Sequence, residues 1–129
     1  MQEADVKNIL TQFKRIDNTL HLLMNLSNAT HYEKIKLLEK QKIIICSWLE
    51  LLSEEERFVL ERHLIYGLSW GKVSIEYEVQ QGMNEQRHER TLKRYQSIAL
   101  KKICRQIHEN GLDNEIDKLF SDSIKKERE

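Results

Sequence analysis

Proline is absent from this sequence and glycine occurs only four times. With so few helix-interrupting residues, and with Leu, Ile, Glu and Lys abundant, the composition favours helices throughout, and an all-α fold is expected. No apolar run approaches the ~20 residues that span a bilayer; the longest uninterrupted one covers residues 43–46. The opening MQEADVKNIL does not resemble a signal peptide. A soluble, cytoplasmic protein with no membrane partner is therefore expected. Cys46 and Cys104 are the two cysteines, and they lack CxxC spacing. Both sit in amphipathic stretches, which predicts reduced thiols packed as small hydrophobes. His21, His31, His63, His88 and His108 are scattered, without an HExxH or Cys-and-His pattern that would hold zinc. There is no phosphate-cradling glycine loop either. Neither an enzyme, a metal site nor a cofactor is expected.

The chain also lacks net charge, with 21 basic and 21 acidic residues. That neutrality conceals an uneven layout. Residues 1–52 carry a net +1, residues 53–83 a net −3 and residues 107–129 a net −3. Residues 84–106 hold seven basic groups against two acidic ones, a net +5. One basic segment between acidic neighbours points to an anionic partner for that segment.

Helical periodicity sharpens the reading. At about 100° per residue, Leu92, Tyr95, Ala99, Ile103 and Ile107 fall on one stripe, the expected core face. Arg87, Arg90, Arg94, Lys101 and Arg105 fall on the other side. A solvated helix face usually mixes Glu with Lys at i, i+4 spacing. The scarcity of acids here favours contact with phosphates instead.

What precedes the basic helix has a recognisable order. Ser53 to Glu56 form the S-x-x-E pattern of a capping box, so a helix should begin there. Its apolar positions Phe58, Val59, Leu60, Leu64 and Ile65 lead to Tyr66, and Gly67 is suited to end it. Ser69 can cap a second helix whose inward residues are Trp70, Val73 and Tyr77. Residues 81–84 supply a turn, and Asn84 can cap the basic helix. Helix, glycine turn, short helix, turn and long basic helix is the order of a helix-turn-helix module.

LSEEERFVLERHLIYGLSW followed by ERTLKRYQSIALKKI resembles region four of bacterial sigma factors. The resemblance is closer to phage late-gene transcription regulators of the ArpU and RinA type. Leu52, Ser53, Glu56, Arg57, Val59 and Leu60 match the L-S-x-x-E-R-x-V-L opening. Arg90, Thr91, Arg94, Tyr95, Ala99, Leu100, Lys102 and Ile103 match the R-T-x-x-R-Y-x-x-x-A-L-x-K-I ending. The resemblance covers residues 50–107 and implies a sequence-specific regulator of transcription, an activator of phage or prophage late genes, with double-stranded DNA as partner. The segment from residue 74 to residue 99 is longer than in an ordinary sigma-type motif, so the second helix, the turn or the start of the third must be extended. The recognition helix could thus begin at residues 84–87 or at residues 88–91.

In a helix-turn-helix the first turns of the last helix face base edges. Arg87, Arg90, Thr91 and Arg94 are then the expected readers, with Lys93 on a phosphate and Ser97 on the same DNA-facing surface. Lys101, Lys102 and Arg105 either reach the backbone further along or complement the helix dipole. Lys72 is a candidate phosphate contact, and Ser69 is either another or only a cap.

Three regions are expected: residues 1–50 as a helical hairpin, 51–109 as the helix-turn-helix domain, and 110–129 as a short acidic helix and tail. In the hairpin, apolar residues recur from Val6 to Leu26 and again from Ile35 to Leu52, with SNATH as the loop. Its expected role is homodimerisation or contact with RNA polymerase. In the last region Leu112, Ile116, Leu119 and Phe120 mark an amphipathic helix. The competing reading is a protein-binding adaptor or sigma-like subunit that docks on RNA polymerase without an operator of its own.

Overall fold

The computed structural model describes residues 1–26, 29–81 and 89–121. Among these the protein is all-α, with no strand. The helices are α1 (Glu3–Thr11), α2 (Phe13–Leu26), α3 (Tyr32–Glu50), α4 (Glu54–Val59), α5 (Trp70–Gln81), α6 (Glu89–Glu109) and α7 (Asp113–Leu119). A 3₁₀ turn at Ala29–His31 precedes α3, and a π-helical segment, Leu60–Ile65, continues α4.

The N-terminal apolar pattern does not form one helix, as its periodicity suggests, but two that meet at Gln12. The Thr11 hydroxyl donates to the Asn8 carbonyl at 2.6 Å, a back-bond of the kind that bends helices. The larger cause is tertiary. α1 packs on α6 and the π-helical segment, whereas α2 packs along α3. A single straight helix would leave one of those two apolar faces uncovered. The hairpin is therefore α2 with α3, and α1 belongs to the packing around α6.

One large core runs through both halves of the chain. Val6, Ile9 and Leu10 of α1, Ile16 and Leu20 of α2, Ile45 and Trp48 of α3, Ile103 and Ile107 of α6, and Ile116 and Phe120 at α7 belong to a single buried cluster. The Trp48 and Phe120 rings lie 6.0 Å apart, joining α3 to the end of α7. A smaller cluster of Val59, Val73 and Leu92 fastens α4, α5 and the start of α6 together, edged by Phe58, Leu68, Trp70, Tyr77 and Tyr95.

The start of α4 follows its capping box. The Glu56 N–H donates to Ser53 Oγ at 3.3 Å, and the Ser53 N–H donates to Glu56 Oε1 at 2.9 Å. The end of the π-helical segment uses Gly67, whose φ of +70° lies in the left-handed region that glycine adopts without penalty. The Tyr66 N–H bonds to the Glu61 carbonyl at 2.9 Å, the wider i to i−5 spacing of a π turn.

Candidate nucleic-acid interface

α6 is the longest helix among the described residues, and its two sides differ in kind. Leu92, Ala99, Leu100, Ile103 and Ile107 are buried, with Tyr95 half-buried beside them. Arg90, Arg94, Lys101 and Arg105 are all exposed on the opposite side. Among the described residues, no carboxylate lies within ion-pair distance of these four side chains. At 21 residues and ~1.5 Å per residue, the helix is about 31 Å long.

Other expected contact residues are placed differently. Lys93 is exposed, but its ammonium pairs with Glu89 at 3.0 Å and stands 5.9 Å from the Trp70 ring centre. Thr91 and Ser97 are half-buried on the flanks of the helix. Lys72 is exposed in the first turn of α5, where its backbone N–H donates to Ser69 Oγ at 3.3 Å. Ser69 thus caps α5. Arg87 and Asn84 lie outside the described residues, as do residues 82–84 of the turn expected at 81–84. α5 itself runs to Gln81, so part of the extra length in this region is helical.

The first turn of α5 is held against the π-helical segment by aromatic stacking that sequence spacing does not reveal. The His63 ring lies over Trp70 with centres 3.8 Å apart and planes 23° apart, and its Nδ1 is 2.8 Å from the Leu68 carbonyl. Because a carbonyl only accepts, Nδ1 carries the hydrogen. His63 lies on the π-helical segment, and Lys93 approaches the same indole from α6. Farther along α5, burial pushes the Tyr77 phenol above its ordinary value, and its contact with Tyr95 of α6 adds to the shift.

Lys102 belongs to the scaffold rather than the outer face. Its Nζ donates to Glu56 Oε1 at 2.7 Å, tying α6 back to the first turn of α4. Cys104 is half-buried, and burial pushes its thiol up, with the Glu3 carboxylate adding to the effect. Ile98, which the sequence reading passed over, is exposed among the cations. Its position four residues after Arg94 is the sequence signal that could have found it.

Among the described residues there is no group of three or more His, Cys, Asp or Glu side chains arranged to hold a metal ion. No helix among them is long and apolar enough to cross a membrane. Compared with profiles of known protein families, with curated proteins and with solved structures, the chain finds no match in any of the three.

Proposed function

We propose that the protein is a sequence-specific, double-stranded-DNA-binding regulator of transcription. In this reading α4 with its π-helical continuation, α5 and α6 act as a sigma region-four-like helix-turn-helix. The observation that carries it is the single-signed outer face of α6, where Arg90, Arg94, Lys101 and Arg105 are exposed opposite a buried stripe. Cations held this way on a rigid helix neutralise phosphates, and arginines in its first turns suit the acceptor pair of guanine. Lys72, at the start of α5, is a supporting phosphate contact.

The activity that best fits the resemblance to ArpU and RinA regulators is activation of phage or prophage late genes by recruiting RNA polymerase. The N-terminal hairpin supplies the second surface that recruitment needs. Leu22 and Leu26 on α2 and Ile43 on α3 are exposed there, available to polymerase or to a second copy of the chain. Selection from a random duplex library by the full-length protein tests this reading. Enrichment of one sequence motif supports it, and recovery of an unchanged library refutes it.

A second reading has its own support. Phe58, Tyr66, Leu68, Ile75 and Val79 line an open groove between the π-helical segment and α5, bordered by Arg62 and Glu76, which pair at 2.9 Å. An adaptor docking on RNA polymerase without its own operator would use such a groove. Competition separates the two readings, because duplex DNA displaces a partner held by the α6 face and leaves one held in this groove.

A further inference from the structure

We infer that Ile98 is a specificity-determining residue that packs against the 5-methyl group of a thymine in the major groove. The inference rests on the DNA-reading role proposed for α6 and adds the identity of a base. Ile98 is 39% exposed. Its side chain is part of neither buried cluster, and Ile98 is not among the partly buried residues packed against them.

Its neighbours narrow the choice of partner. On a helix, Arg94 at i−4, Lys101 at i+3 and Arg105 at i+7 share its face, and all three are exposed cations. An apolar protein partner calls for a contiguous apolar patch, whereas Ile98 is a single exposed aliphatic group with exposed cations on its outer side. A DNA duplex offers the matching pattern. Its phosphates meet Lys101 and Arg105, and the thymine methyl is the apolar group that base edges display in the major groove.

Helical rise gives the register. Four residues from Arg94 to Ile98 advance about 6 Å along the axis, close to two base steps at ~3.4 Å each. If Arg94 takes a guanine, the thymine that Ile98 reads lies about two base pairs away.

The test uses the full-length protein and a duplex it has selected from a random library. Each thymine is replaced in turn by deoxyuridine, which removes the methyl group and keeps the pairing. The wild type should lose about fourfold in affinity at one or two of these positions, the equivalent of ~0.8 kcal/mol for one buried methyl-sized group. Ile98→Ala should bind the unmodified duplex more weakly and show no further loss at those same positions. Its circular dichroism should match the wild type, which keeps a lost contact distinct from a lost fold.

A uracil profile of Ile98→Ala identical to that of the wild type would overturn the role of Ile98 while leaving DNA reading by α6 intact. A wild type insensitive to every thymine substitution would do the same. Failure to select any duplex would overturn both.

Discussion

Glu56 and Lys102 form an ion pair of 2.7 Å between the first turn of α4 and the second half of α6. The same carboxylate accepts from the Ser53 N–H at 2.9 Å, so one buried oxygen closes the capping box and anchors the basic helix. Burial alone would raise the Glu56 pKa, but the bonds from Lys102 and Ser53 outweigh it and hold the carboxyl below its ordinary value.

A pH signature follows from that direction. A depressed carboxylate stabilises the fold fully above its unfolded value of ~4.3, and the contribution disappears as pH falls through the lower, folded value. The Lys102 side chain is 46% exposed, so solvent screens its share. We expect Glu56→Gln to cost about 1 kcal/mol at neutral pH. Urea unfolding should show the variant and the wild type converging below about pH 4. A difference between them that stays constant down to acid pH would contradict this role.

Trp48 is 4% exposed and packs against Phe120, which is fully buried. Truncating Trp48 to alanine should cost ~3–5 kcal/mol through the cavity and the lost apolar burial. Chemical denaturation measures it directly. An unchanged midpoint would mean that α7 does not hold to α3 through this pair.

Gly67 tests the turn between the π-helical segment and α5. A Cβ added there meets no heavy atom within 4 Å, yet φ is +70°. The expected cost of Gly67→Ala is therefore backbone strain alone, about 1–2 kcal/mol. A neutral or stabilising effect in thermal melts would show that the turn relaxes without left-handed geometry.

Much of this fold is legible in local chemistry. The Ser53 capping box, the Ser69 cap and the buried stripe of Leu92, Ala99, Ile103 and Ile107 all follow from spacing, and the structure has them. The break at Gln12 is not legible in that way, because no glycine or proline marks it. It arises from α1 and α2 having different packing partners. The π-helical segment is hidden for a related reason. Its residues read as ordinary helix, and what distinguishes it is i to i−5 backbone bonding, as from the Tyr66 N–H to the Glu61 carbonyl. In the candidate interface, spacing identifies the outer cations and divides them only in part. Lys93 pairs with Glu89 at an i, i+4 spacing visible in the sequence, whereas Lys102 is joined to Glu56, a residue 46 positions away in the chain.

Arg90 and Arg94 carry the central claim, because both are exposed and neither contributes to a buried cluster. Fluorescence anisotropy with the selected duplex, across a salt series and with competitor DNA, tests it most directly. The wild type should bind sequence-dependently, with log K falling against log salt by about 0.9 per phosphate contacted. Arg90→Ala with Arg94→Ala should abolish sequence-dependent binding while circular dichroism and melting remain unchanged. Equal binding by the wild type and the double variant, or no binding by either at low salt, would contradict DNA reading by this face of α6.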